Sequence, residues 1–342
     1  MPLLERNFYG LWVGKQAAKG TPNTTPSKRL VQVAGDFGFT RDDGEELYSD
    51  LTKYPARTDW VNSLLGQGEP GIEATPTELA YLLWLFHGAE DVTAITGPPA
   101  ASQHQFTPSL GLGHYFTAYA RVGSSIVRRH RFEDCLITKI VIEASTANKA
   151  VRVTPSVLSL NPGVVFTSDP AAAMPTDKSL LYTDGAGAVE IDGNVFRGQS
   201  QFALTIDDAW SPVFSDDTVP FDLVQGTPSA GVGVTLYLDQ DAFEWWNQLA
   251  YGDPTPAAGT APLKVIPANG SYQATLTQAD SAGDPNGIAF GADFPEVKWT
   301  LPPAVAPNPE GGATEVTLAG TLRGGDYTLD VFTDDAVVAF TT

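Results

Sequence analysis

The sequence predicts a mainly β protein built as two tandem antiparallel units, each flanked by one α-helix. Three observations carry that expectation. Short apolar or alternating runs bounded by turn formers recur along the whole chain, which holds 33 Gly and 26 Pro. Only two segments have a clear helical period, and each ends at a glycine, Gly88 or Gly252. An aromatic-acid strand entry follows each helix: Phe132-Glu133-Asp134-Cys135 begins 44 residues after Gly88, and Phe294-Pro295-Glu296-Val297 begins 42 after Gly252. One helix-and-strand unit therefore recurs at an offset near 164 residues. The 342 residues have room for about two domains. The expected boundaries are 1–165 for the first unit, 166–187 for a linker rich in Pro, Ala, Gly and Asp, and 188–342 for the second.

Taken in order, Asn7 to Gly14 reads as a strand and Lys15 to Pro26 as an arm of turn formers. Arg29 to Ala34 alternates as a strand buried on much of both faces. Gly35 to Gln67 is polar and lacks a period, so a long interaction loop is expected there. The first helix starts clearly: Thr75 caps, Pro76 fits the first position, Glu78 completes a capping box, and Gly88 stops it. Leu79, Leu82, Leu83 and Phe86 would form its one apolar face, with Trp84 and His87 in packing and surface roles.

Tyr115 to Val122, Ser125 to Phe132 and Cys135 to Ala144 follow as an antiparallel meander, and Val151 to Leu160 closes the first unit. In the second unit strands are expected at Ala188–Ile191, Gln201–Ile206 and Thr235–Leu238. The second helix repeats the capping spacing with Asp241 and Glu244, presents Phe243, Trp246, Leu249 and Ala250 as its apolar face, and stops at Gly252. Strands at Tyr272–Thr277, Val297–Thr300, Thr314–Leu322, Tyr327–Phe332 and Ala336–Phe340 finish the chain.

Forty acidic against twenty basic side chains give a net charge of -20, which opposes a groove that grips nucleic-acid phosphates. The imbalance is uneven. Up to Val165 there are 15 Lys/Arg and 16 Asp/Glu, and beyond it 5 and 24. The single cysteine, Cys135, has no disulfide partner within the chain and reads as a buried strand residue. Met1 to Arg6 lacks the pattern of a secretory signal, and no apolar run approaches the ~20 residues that span a bilayer.

No catalytic or metal constellation is expected. The four histidines, His87, His104, His114 and His130, show no ligand spacing. The acidic turns at Asp207-Asp208, Ser215-Asp216-Asp217 and Asp334-Asp335 lack the ordered oxygen ligands of a calcium loop. Gly-x-Ser-x-Gly is absent, and no carboxylate pair stands out from the many present. With no constellation at a demanding spacing, the expected reading is a structural or assembly protein with no cofactor.

The ordered motifs resemble the major tail tube proteins of long-tailed, non-contractile bacteriophages. The match runs from Gly71-Ile72-Glu73-Ala74-Thr75-Pro76-Thr77-Glu78-Leu79 to Gly88, then His104-Gln105-Phe106-Thr107-Pro108, then Phe132-Glu133-Asp134-Cys135. Gly14-Lys15 and Gly20-Thr21-Pro22 resemble the family's opening arm. Phe202-Ala203-Leu204-Thr205-Ile206, Pro220-Phe221-Asp222-Leu223 and the helix ending at Gly252 resemble the tube domain's strands and helix. The resemblance implies β-sandwich or flattened-barrel units that pair edge to edge into stacked rings around a channel for DNA ejection.

It further implies a virion tail protein, made in the host bacterial cytoplasm, with a tape measure protein and a tail terminator as partners. DNA would pass without sequence-specific binding, and no membrane is involved. Two units per chain make the expected ring a homotrimer with pseudo-sixfold symmetry. Contact candidates between subunits or rings are Lys15, Gly20, Thr21 and Pro22 of the arm and Asp42, Glu45, Tyr54, Arg57 and Trp60 of the long loop. The alternative is a surface-exposed β-sandwich module that binds glycans by stacking on Trp60, Trp210 and Trp245. A virion-associated hydrolase is a third possibility.

Overall fold

A computed structural model describes residues 9–43, 61–95, 101–108, 111, 113–123, 127–145, 150–172, 180–181, 189–191, 194–196, 199–215, 217–237, 239–263, 269–278, 288–300, 315–323, 326–333 and 340. The fold is mainly β, with two helices among these residues, α1 (Pro76–His87) and α2 (Gln240–Tyr251). All described strand pairs are antiparallel, and all but one hairpin belong to one branched sheet network. A continuous apolar core runs from Leu11 to Val331, so residues on both sides of the 166–187 segment share it.

A run of five strands and a helix has the same pairing order twice. Leaving out inserted strands (Phe37–Asp43, Val61–Gly68, Asp91–Ile95 and Ala101–Phe106 in the first, Trp210–Val213 and Asp222–Gln225 in the second), the first run is Gln32–Ala34, Gly71–Glu73, α1, Phe116–Val122, Arg128–Ser145 and Arg152–Val165. Its strands bond in the order first, second, fifth, fourth, third. The second run is Gln199–Asp207, Ser229–Tyr237, α2, Asn269–Gln278, Ile288–Trp299 and Glu315–Leu322. It bonds in that order too. The runs are joined edge to edge, because Lys139–Ser145 of the long fourth strand pairs with Gln201–Asp207, the first strand of the next run. A second junction comes from the C-terminal strand Thr328–Thr333, which pairs with Ala101–Phe106.

Several expectations meet their limits here. The strands expected at 125–132 and 135–144 are one 18-residue strand, Arg128–Ser145, interrupted by a bulge at Glu133 and Asp134. Asp134 has φ 50°, a left-handed conformation that Asp tolerates better than most residues. Just beyond it Leu136, Ile137 and Thr138 are all buried; alternation starts at Lys139, with Ile140, Ile142 and Ala144 buried and Lys139, Val141 and Glu143 half-buried. The run 29–34 splits at Val31 because its two ends pair with different strands, Tyr9–Lys15 and Gly71–Glu73. Val31 spends its amide on Glu78 Oε1 (3.0 Å) and its carbonyl on Glu73 N (3.0 Å).

The 35–67 stretch corrects the expectation of a loop, since its described parts are strands: Phe37–Asp43 pairs with Val61–Gly68. Its period is hidden because glycine replaces apolar side chains where the ladder closes on its neighbours. A Cβ on Gly66 would lie 2.7 Å from Ser159 Cβ and 2.9 Å from Phe132 Cδ1.

The helices differ from the expected amphipathic pair. In α1 the caps are as expected: Thr75 Oγ1 accepts from Glu78 N (3.2 Å) and Gly88 takes φ 75°. The Glu78 carboxylate accepts from the Thr75 hydroxyl and the Val31 amide. Every residue of α1 is buried, Trp84 and His87 included, because this helix is apolar all round. The cap of α2 is Asp239, which accepts from Ala242 N (2.9 Å), rather than Asp241 with Glu244. Asp241 lies within the first turn, and the Glu244 carboxylate accepts from Gln240 Nε2 (2.9 Å). Gly252 stops α2 at φ 77°. Its buried apolar residues are Ala242, Trp245, Leu249 and Ala250; Phe243, expected inside, is 44% exposed.

Candidate functional site

The arm is tied to its own chain. Lys15 ends the Tyr9–Lys15 strand, donating its amide to Tyr81 Oη (3.1 Å) and holding its ammonium over the Trp84 ring (4.9 Å). Gly20, at φ 77°, donates its amide to Asp134 Oδ1 (2.6 Å). Thr21 donates to Ala18 O (3.1 Å), and Pro22 is half-buried. Asn23 is clasped by Thr117 Oγ1, Lys15 O and the Tyr119 hydroxyl. The buried Gln16 amide turns its nitrogen to Asp134 Oδ1 (2.8 Å) and its oxygen to Asp134 N (3.1 Å), because a carboxylate needs a donor. The tip from Ala17 to Thr21 stays exposed.

Of the other contact candidates, Asp42 lies in the Phe37–Asp43 strand opposite Ser63. Glu45, Tyr54, Arg57 and Trp60 lie outside the described residues.

Three open apolar surfaces emerge that sequence reasoning missed. On the first, Phe39 is 50% and Val165 71% exposed, with Val164 beside them. Phe39 meets His130 edge-on at 5.7 Å. Beside this patch Arg121 and Arg129 sit directly opposite each other, a like-charge cross-strand pair that Asp169 relieves with one oxygen on each (2.6 Å and 2.6 Å). A groove of about 550 Å³ runs from Phe39 past Gln67, Thr138 and Leu158 to Trp210.

The second surface belongs to a separate hairpin, Trp210–Val213 with Asp222–Gln225. Phe221 and Val224 are exposed there. The hairpin is anchored to the first half of the chain: Lys19 Nζ donates to Phe221 O (2.8 Å) and Asp222 Oδ1 (3.1 Å), and Leu64 N donates to Thr218 O (2.8 Å). The Leu223 amide, with Lys19 second, holds the Asp222 carboxyl below its ordinary range. The third surface is the outer face of α2, where Phe243 stacks on Trp246.

The residues with perturbed acidity lie mostly inside. Burial lowers His87 to about 4; its Nδ1–H donates to Leu83 O (3.0 Å), so Nε2 accepts from the Tyr327 hydroxyl (2.8 Å). Burial also pushes the Cys135 thiol up and lowers half-buried His114 to about 4. Asp208 rises to about 6, mainly by burial and then by its neighbour Asp207. Among the described residues no group of three His, Cys, Asp or Glu side chains is placed to hold a metal ion. No described helix is long and apolar enough to cross a membrane. Of the three tryptophans considered for sugar stacking, Trp245 is buried, Trp210 is half-buried, and Trp60 is not among the described residues.

The arrangement offers surfaces for association: exposed apolar side chains, tethered hairpins and sheet edges. Compared with known proteins, the chain matches no family model, and no curated sequence is similar to it.

Proposed function

We propose that the chain is a self-assembling tube subunit, a phage tail tube protein whose stacked rings form the channel for DNA ejection. The observation that carries this reading is the pairing order that occurs twice, read as two tandem tube units, together with the junction between them. That junction joins the fourth strand of one run, through Lys139–Ser145, to the first strand of the next, through Gln201–Asp207. Such a contact is heterologous: it uses different edges on its two sides, so it does not saturate itself. Repeated from chain to chain it closes a ring or propagates a filament.

Edge pairing around a closed ring also satisfies strand edges that would otherwise template aggregation. With two units in each chain, three chains supply the six units of a pseudo-sixfold ring. The 5 basic and 24 acidic residues after Val165 support a channel that repels phosphate and lets DNA pass without adhering. The purified chain is expected to form long hollow tubes in negative-stain images, with three chains per ring in averaged maps. Six chains per ring would reject the two-unit reading, a neutral or basic channel would reject the charge assignment, and failure to assemble at any concentration would reject the tube.

A further inference from the structure

Each pairing run carries an inserted pair of antiparallel strands at the same place, between its first and second strands. In the first run the pair is Phe37–Asp43 with Val61–Gly68, and in the second it is Trp210–Val213 with Asp222–Gln225. The two pairs meet inside the chain. Leu64 N, on the later strand of the first pair, donates to Thr218 O, which lies between the strands of the second (2.8 Å). Trp210, on the earlier strand of the second pair, closes the groove of about 550 Å³ that Gln67 and Gly68 of the first pair also line. The contact therefore joins the later strand of the first pair to the earlier strand of the second.

The two remaining strands keep apolar side chains in water. Phe39, on the earlier strand of the first pair, stands at the far end of the groove from Trp210 and is half exposed. Val224 lies on the later strand of the second pair with Phe221 just before it, and these are 55% and 58% exposed. Phe39 thus holds the place in its pair that Trp210 holds in the other, and Val224 the place that Leu64 holds. The second pair is a sheet of its own, and two strands alone are marginally stable in water. Exposed apolar side chains clustered on such an element mark a surface for association.

Resting on the reading of tandem tube units above, we infer that this contact is repeated between copies: Phe39 of one copy packs against Phe221 and Val224 of the next. A second copy is the occupant because the chain already joins one inserted pair to the other. The strands it leaves open are the two that a repeat of that contact requires. The groove also adjoins the edge junction between the runs. Thr138, which lines it, precedes the Lys139–Ser145 ladder, and its carbonyl accepts from Asp208 N (2.9 Å), next to the other end of that ladder. An edge junction formed from copy to copy brings the two open strands together in the same way. The two surfaces differ, so the contact is heterologous and runs from copy to copy until the ring closes.

Phe39→Ser and Val224→Ser test this in the full chain, with thermal unfolding confirming that both stay folded. Each is expected to raise the concentration needed for assembly at least tenfold. A second test needs no loss of assembly. Phe39→Cys and Val224→Cys copies of different mass tags are mixed, assembled and treated with a short bismaleimide, Cys135 being buried. The expected product is the dimer carrying one of each tag. Serine variants that assemble at the parental concentration, or mixed assemblies without that dimer, overturn the inference and leave the tube reading standing. A parent chain that never assembles overturns the tube reading itself, and this contact with it.

Discussion

Phe132 and Phe294 are each the last paired residue before a bulge with the same residue count. Phe132 faces Ala118 and Cys135 faces Phe116, so three steps on one strand oppose two on the other. Phe294 faces Tyr272 and Val297 faces Gly270, again three steps against two. Both phenylalanines are fully buried. A bulge bends its strand and increases local twist, and the motif spaced 162 residues apart in sequence marks a register shift at the same place in both runs. The acidic residues after each phenylalanine occupy the bulges, where the ladder leaves backbone unpaired.

Asp134 is therefore expected to be costly to replace. Its carboxylate accepts from the Gly20 amide and the Gln16 amide, and its φ is 50°. Asp134→Ala should destabilise the protein by about 2–4 kcal/mol, combining lost hydrogen bonds to the buried Gln16 amide and the exposed Gly20 amide with a strained conformation. Asp134→Gly should recover roughly 0.5–1 kcal/mol of that, since glycine accepts positive φ. Urea denaturation midpoints of the two variants check the order.

Stability should depend on pH through two opposed groups. His87 falls to about 4 in the fold, so between its unfolded value near 6.5 and about 4 the unfolded chain binds the proton. Stability is then lost as pH drops through that window, by roughly 2–3 kcal/mol for this buried ring. Asp208 has the opposite sign: its carboxyl rises to about 6, so its contribution is present at low pH and is lost as pH rises from about 4 to 6. His87→Gln should flatten the acid limb of a melting-temperature profile, and Asp208→Asn should raise the melting temperature at pH 7. An unchanged acid limb in His87→Gln would reject the assignment.

Phe340 is expected to act as a clasp. Its amide donates to Glu90 Oε1 (2.6 Å), the other Glu90 oxygen meets His104 Nδ1 (2.7 Å), and its ring stacks on His104 at 5.0 Å. Phe340→Ala should cost about 1–3 kcal/mol, less than a fully buried phenylalanine because the ring is only partly covered. Phe340→Leu should cost clearly less. Chemical denaturation with both variants makes the comparison.

Cys135 should be chemically silent in the native state. It is fully buried, and burial pushes its thiol well above the ordinary range, so almost no thiolate forms near neutral pH. A disulfide reagent should label it only at the rate of unfolding and completely in denaturant. Prompt labelling of the folded protein would contradict this placement.

Local signals were legible wherever a few neighbouring residues suffice. Thr75, Pro76 and Gly88 delimit α1 by their own backbone and side-chain chemistry, and Lys139 to Ala144 shows its period because only one face is buried. The α2 cap was ambiguous for the same local reason. Asp239 and Asp241 both precede helical residues, and the turn that brings Asp239 N to Tyr237 O (2.9 Å) selects the first. The strand at Val61–Gly68 escaped because Gly66 and Gly68, rather than alternating apolar residues, stand where its ladder closes on Ser159 and Phe37.

The sequence by itself determined a mainly β chain, the limits of α1 and the glycine stop of α2, the recurring aromatic-acid motif and the uneven charge of its halves. Only the tertiary structure decided that α1 is buried on every side, that Lys139–Ser145 joins Gln201–Asp207, and that Phe243 faces solvent while Trp245 does not. The reason is physical. Propensity, capping and period act within a few residues, whereas edge pairing and burial depend on which distant segments arrive at the same face, about which local pattern carries no information.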